Sequence, residues 1–167
     1  DAVDTGRFGK VVIVKQQSGG SDAQKFDFSA PAALGGSFKL SAADGPKVIG
    51  NLVPGGPYTV SEDALPAGSE YERGDVSCVG PDVTSSNANH SADIKVTAGS
   101  TTTCTFKNTR TTLVVKKTVL NNNGGAAVPA DFTMSVSGNN ATPNSFPGDA
   151  AGTTVVLYPV TNPGRSE

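Results

Sequence analysis

Tryptophan is absent from this chain of 167 residues, and its remaining aromatics are 7 Phe and 3 Tyr. A sugar-cleaving or sugar-gripping groove leans on aromatic platforms, so the carboxylate pairs Glu62-Asp63 and Glu70/Glu72 read as surface charge rather than as a glycosidase pair. The one histidine, His90, lies in a polar loop with no cysteine cluster beside it, which leaves no zinc site of recognisable spacing. Asp22, Asp44 and Asp75 stand near turns, but none of those loops matches a calcium-binding EF-hand. No glycine-rich stretch follows a strand and opens a helix, so a phosphate cradle is excluded. The expectation is therefore no cofactor and no metal. The formal net charge is −2, without the basic footprint that nucleic acid or an anionic membrane surface would require. No apolar run approaches the roughly 20 residues of a membrane span. Neither a secretory leader nor a sortase-type anchoring signal is visible, the former as expected of a mature chain.

What is present is Val, Thr, Ser, Gly and Asn, with 20 glycines and 11 prolines gathered in short clusters. Between the clusters lie β-prone runs: Val11 to Lys15, Phe26 to Phe28, Ser37 to Leu40, Lys47 to Ile49, Tyr58 to Glu62, Tyr71 to Cys78, Ala92 to Val96 and Thr102 to Asn108. Strand runs about ten residues apart with turn signals between them predict an all-β sandwich. Pro81 to Ser91 reads as a polar loop, and the last two strands read as a pair joined by the turn Ala98-Gly99-Ser100.

One strand organises the rest. In Tyr58-Thr59-Val60-Ser61-Glu62 the small polar Thr59 and Ser61 mark the wet face, which turns Glu62 inward beside Tyr58 and Val60. An inward carboxylate is costly unless paired or hydrogen-bonded. Two other strands offer partners. Val11, Ile13 and Lys15 share one face of the first, and Cys104, Phe106 and Asn108 share one face of the last. Lys15, Glu62 and Asn108 are thus expected to meet in the core. The plainer alternatives are a hydrogen-bonded ionic cluster, or a lysine whose head reaches out to solvent.

Cys78 and Cys104 both fall in β-prone runs. Two buried thiols would suit a reducing compartment. The even count, the Ser/Thr/Asn-rich surface and the absence of a nearby metal-binding histidine favour a disulfide instead, and with it an oxidising compartment. Such a bridge closes a loop of a few dozen residues, worth about 3 kcal/mol in the chain-entropy account. Asn89-His90-Ser91 and Asn140-Ala141-Thr142 match the glycosylation sequon, a pattern common by chance.

After Arg110 the pattern starts again. Leu113, Val115 and Lys117 occupy the places of Val11, Ile13 and Lys15; Phe132-Thr133-Met134 echoes Phe26-Asp27-Phe28, and Ser145-Phe146 echoes Ser37-Phe38. Thr154 to Leu157 fits the strand around Val48. The division expected is a tail or docking segment over 1–9, a complete sandwich over 10–110 and the N-terminal half of a second, homologous sandwich over 111–167, joined by a stiff linker of about two residues. No second Tyr-x-Val-x-Glu or Phe-x-Asn strand is visible. Truncation of a longer protein is the preferred explanation, with strand addition by a neighbouring subunit as the alternative.

The motifs Val11-x-Ile13-x-Lys15, Tyr58-x-Val60-x-Glu62 followed by Pro66-x-Gly68, and Phe106-x-Asn108 together resemble the SpaA-like (Cna B-type) prealbumin-like repeat domains of bacterial surface adhesins and pilins. The resemblance covers residues 9 to 110 and, more weakly, 111 to 167. It implies tandem Ig-like, prealbumin-like sandwiches on a cell surface, self-association or tandem domains of one chain, and no enzymatic turnover. It also implies an autocatalytic isopeptide bond between Lys15 and Asn108 with Glu62 beside it, and none within the second copy. Desolvation works against both charges in an apolar core, so Lys15 can serve as a neutral nucleophile while protonated Glu62 polarises the amide. The expected function is an extracellular structural module of a stalk, pilus or filament. The alternative is an adhesin or accessory module that binds matrix protein or carbohydrate through its loops.

Overall fold

The structure is a computed structural model, and it describes residues 6–138 and 140–158. Its regular elements are strands and three short 3-10 turns, with no α-helix among the described residues. Contacts divide the chain into two compact units, one formed by residues 1–66 and 73–109, the other by 67–72 and 110–167.

The first unit is a sandwich of two sheets. One sheet holds β1 (Gly9–Ser18), β4 (Lys47–Leu52), β6 (Glu72–Val79) and β9 (Thr101–Thr109) in the order β4-β1-β9-β6. The other holds β2 (Phe26–Ser29), β3 (Phe38–Leu40), β5 (Gly55–Glu62), β7 (Val83–Ser86) and β8 (Ser91–Val96) in the order β3-β2-β5-β8-β7. Alternation does the sorting. Along β1, Val11, Ile13 and Lys15 are buried, while along β9 the buried set is Thr102, Cys104, Phe106 and Asn108. Val60, Ala92 and Ile94 face them from the second sheet, and Phe28 stacks on Phe38 at 5.0 Å and meets the edge of Phe106 at 5.1 Å. Burying side chains of this size contributes about 1.5–3 kcal/mol each.

The first and last strands of this unit lie side by side and parallel, in register from Lys10 opposite Thr101 to Ser18 opposite Thr109. The ladder of β5 shifts between Gly55 and Tyr58, which accommodates Pro57 in a strand. Gly56 at that shift has φ +106°, and a Cβ there would stand 2.8 Å from the Ile94 carbonyl oxygen. No other residue fits so close an approach.

Two sequence readings are corrected here. β8 and β9 do not pair: β8 runs between β5 and β7, and β9 between β1 and β6, in opposite sheets. Ala92, Ile94 and Val96 reach the core from one side and Cys104 and Phe106 from the other, so the turn at Gly99 crosses the sandwich rather than closing a hairpin. Alternation alone cannot separate these outcomes, because both bury the same residues. The stretch 81–91 is also not all loop, since Val83–Ser86 forms the edge strand β7 against β8. Only Val83 and Ser86 are even half-buried, so the strand left no apolar signal.

In the second unit β10 (Thr111–Val115) pairs antiparallel with β13 (Thr153–Leu157), as β1 does with β4. β11 (Thr133–Ser135) pairs with β12 (Ser145–Pro147), as β2 does with β3. A small core forms around Ala141, Phe146 and Val155, with Val115, Met134, Val136 and Leu157 against it. Leu113, read as inward, is 40% exposed. Residue 70 belongs to this unit, where Glu70 pairs with Arg110 at 2.7 Å and accepts from the Tyr158 hydroxyl at 3.1 Å. Residues 1–5 of the expected lead-in and 159–167 of the second copy fall outside the described residues. Gly9, assigned to that lead-in, already belongs to β1.

Candidate functional site

Three strands deliver three polar side chains to one point in the first unit. β1 carries Lys15, β5 carries Glu62 at its last position, and β9 carries Asn108 one residue before its end. All three are buried, and the side chains of Lys15 and Glu62 are 0% and 2% exposed. The lysine therefore does not reach out to solvent.

Glu62 bridges the other two. Its Oε2 accepts from Lys15 Nζ at 3.1 Å, and its Oε1 accepts from Asn108 Nδ2 at 2.5 Å. Lys15 Nζ also donates to the Phe106 carbonyl at 3.3 Å and stands 4.6 Å from the centre of the Phe26 ring. Asn108 Oδ1 is buried with no hydrogen-bond partner. Desolvation pulls the Lys15 ammonium below its ordinary value, and the Glu62 charge and hydrogen bond work against that shift without cancelling it. The cluster thus holds an amine inclined to lose its proton, a carboxylate in contact with it, and an amide touching the same carboxylate.

The main chain of Glu62 is fixed as well. Its N–H donates to the His90 carbonyl at 2.9 Å, and its carbonyl accepts from Arg73 Nη1 at 2.9 Å. His90 was read as a solvated loop residue. It is half-buried instead, with φ +47°, and its Nδ1 meets the Gly74 carbonyl at 3.1 Å. Burial, with the Arg73 charge adding to it, lowers the pKa of the His90 ring. Arg73 and His90 hold the Glu62 main chain through hydrogen bonds that sequence reasoning missed. Arg73 fell within the β-prone run Tyr71 to Cys78 with no mark of its own, and nothing in the composition of the Asn87 to His90 turn announces a contact with β6.

Cys78 on β6 and Cys104 on β9 form a disulfide. Cys104, Phe106 and Asn108 share the inward face of β9, so the bridge and the polar cluster brace the same strand. In the second unit Lys117 Nζ lies 4.3 Å from the centre of the Phe132 ring, which parallels Lys15 over Phe26. Of the carboxylates weighed as catalytic pairs, Asp63 accepts from Ser29 and Glu70 pairs with Arg110, while Asp75, weighed for calcium, accepts from Asn87. No cluster of three metal-binding side chains occurs among the described residues.

Comparison with known proteins bears on the fold. A family model, SpaA_4, described as a prealbumin-like fold domain, matches residues 11–110, and a second prealbumin-like fold model, SpaA_2, matches residues 108–165. No curated protein matches the chain. Among solved structures, an adhesin of Mobiluncus mulieris containing intramolecular disulfide, isopeptide and ester bond cross-links is similar at 20% identity and a TM-score of 0.44, over 62% of this chain and 42% of that one. The major pilin of Streptococcus pyogenes is similar at 18% identity and a TM-score of 0.43, over 60% of this chain and 47% of the pilin. The chain spans less than half the length of either.

Proposed function

The chain belongs to the SpaA prealbumin-like fold family, and from that membership we propose that it is an extracellular structural module of a cell-surface stalk, pilus or filament. In this reading residues 10–110 form a complete load-bearing domain and 111–167 begin a second. The module works among tandem or self-associated copies, and it turns over no substrate. One observation carries the reading: buried Lys15, Glu62 and Asn108 meet where the first and last strands of the sandwich lie side by side.

The chemistry follows from the contacts. Lys15 Nζ passes a proton to Glu62 Oε2 across the 3.1 Å hydrogen bond, which leaves a neutral amine and a neutral acid. Once protonated, Glu62 donates to the amide oxygen of Asn108 after that amide turns over. The amine attacks Asn108 Cγ, and its second proton moves through Glu62 to the departing nitrogen. The C–N bond to Nδ2 breaks, an Nζ–Cγ amide forms, and one ammonia leaves. Packing holds amine and amide together, which supplies the effective concentration that the uncatalysed reaction lacks. The product ties β1 to β9 covalently.

Intact mass of the native protein, before and after reduction, tests the proposal. The expected result is a mass lower by one ammonia that survives reduction and is restored in Glu62→Ala. A full mass that changes only by the two hydrogens of the disulfide would overturn it.

A further inference from the structure

Asn123 is followed by Gly124, and the chain holds no other Asn-Gly pair. An asparagine amide in that position faces a built-in nucleophile, the main-chain nitrogen of the next residue. Attack closes a five-membered ring, so the reaction is intramolecular, and glycine has no Cβ to hold its nitrogen away from the amide. Whether a folded chain permits the closure depends on how firmly it holds the two reacting groups.

In this turn neither group is held. Residues 121–126 are all exposed, and Gly124 has φ +77° with nothing within 4 Å of the place a Cβ would take. Asn121 is engaged, its Nδ2 donating to the Ala127 carbonyl at 2.9 Å. Among the described residues no partner binds the Asn123 amide or the Gly124 N–H. The comparable pair Asp44-Gly45 is arranged in the opposite way. Asp44 Oδ2 accepts from the Ser41 N–H at 2.8 Å and from the Ser41 hydroxyl at 2.7 Å, and its Oδ1 accepts from Lys25 Nζ at 3.1 Å. The Gly45 N–H donates to the Ala42 carbonyl at 3.3 Å. Ring closure at Asp44 must break these bonds, whereas at Asn123 it breaks none of this kind.

We infer that Asn123-Gly124 is a self-modifying site of the second unit. The Gly124 nitrogen loses its proton to solvent and attacks Asn123 Cγ, the Cγ–Nδ2 bond breaks, and ammonia leaves a succinimide. Water then opens the ring at either carbonyl, giving aspartate or isoaspartate. In sum, an amide and a water become a carboxylic acid and ammonia, and the acid ionises at neutral pH. The turn gains a negative charge, and in the isoaspartate form its main chain is longer by one methylene. This chemistry needs neither Lys15 nor Asn108. Its succinimide stage nevertheless weighs the same as a crosslinked chain, since each has lost one ammonia. The succinimide is set apart by its hydrolysis and by its indifference to Glu62.

Folded protein and a free peptide of residues 118–128 are incubated side by side in mildly alkaline buffer and sampled over days. Isoaspartate is read by methyl transfer from an isoaspartyl methyltransferase, and peptide mapping locates it. The expected result is that Asn123 reacts in the folded protein at a rate within roughly tenfold of the peptide's, because the turn leaves both groups free. Gly124→Ala should slow the reaction by roughly tenfold, and Asn123→Ser should take no label in this turn. Asp44 should stay unlabelled in every folded sample. A folded-state rate more than roughly tenfold below the peptide's would overturn the site, since the turn would then be protecting Asn123. Label that persists in the turn of Asn123→Ser would overturn it too, by placing the reaction at a neighbouring asparagine.

Discussion

Lys15 and Asn108 are two residues out of register on adjacent parallel strands: Lys15 stands opposite Phe106, and Asn108 opposite Gln17. Because side chains alternate, both still point into the sandwich. The lysine stem must therefore lean along the strand by about 7 Å, two residues of strand rise, to bring Nζ to the amide. On the way Nζ meets the Phe106 carbonyl. Glu62 arrives from the opposite sheet and spans the offset with its two oxygens. The geometry selects a long, flexible amine in β1 and a short amide in β9.

Lys15→Arg separates charge from nucleophilicity. A guanidinium keeps the positive partner for Glu62 but stays protonated at any workable pH, so it cannot attack an amide. The variant is expected to fold and to show a full mass, heavier than a crosslinked product by one ammonia. Loss of ammonia in Lys15→Arg would show that another amine is the nucleophile.

Removing only one charge of the buried pair is expected to cost more than removing both. Glu62→Ala strands an ammonium in the core, at about 3–5 kcal/mol. Lys15→Met with Glu62→Leu fills the same space with apolar atoms and should recover most of that loss. Urea unfolding of the two variants, neither able to crosslink, makes the comparison. A double variant no more stable than Glu62→Ala would mean that packing, not charge, governs the site.

The three-way meeting was legible because each strand carried its own facing rule. Thr59 and Ser61 turned Glu62 inward, and the apolar companions of Lys15 and Asn108 did the same for them. The disulfide was legible from the even cysteine count, the Ser/Thr/Asn-rich surface and the absence of a nearby metal-binding histidine. Pairing between strands was not. Val96 and Thr101 are separated by a short glycine turn that serves a hairpin or a crossing between sheets equally well, and the choice of crossing rests on long-range packing. β7 was missed because an edge strand with a polar outer face has no apolar alternation. Leu113 misled because a strand can repeat the sequence of Val11 without acquiring the same cover.

The lowered pKa of Lys15 fixes the sign of two pH effects. Desolvation, the larger cause, places the folded value below 10.5, so the unfolded chain binds more protons in the window between the two. Stability of a non-crosslinking Asn108→Ala variant should therefore rise with pH through that window and level off above 10.5. The proposed step needs that same proton, handed from Lys15 to Glu62, so the rate of ammonia loss in wild type should fall as the proton leaves the pair across the window. Unfolding and crosslinking measured across the window check both effects, with Asn108→Ala/Lys15→Met as the flat reference. A rate that climbs through the window would show that the free amine reacts without Glu62 as its acid.

Force applied at the start of β1 and the end of β9 meets a parallel ladder of nine residue pairs, Lys10 with Thr101 through Ser18 with Thr109. In this arrangement the load shears the ladder, and its evenly spaced bonds resist together rather than opening one at a time. A Lys15–Asn108 bond would intercept the load before it reaches anything between those residues. The Cys78–Cys104 bridge would then carry none of it. Pulling on single molecules should accordingly give no extension from the first domain in wild type, with or without reductant. Lys15→Arg should extend, but with the loop between Cys78 and Cys104, a separation of 26 residues, still closed. Reductant should lengthen that variant's step by roughly 90 Å, the span of the freed loop at full extension. Wild type that extends as far as Lys15→Arg would show that the first and last strands are held by hydrogen bonds and packing alone.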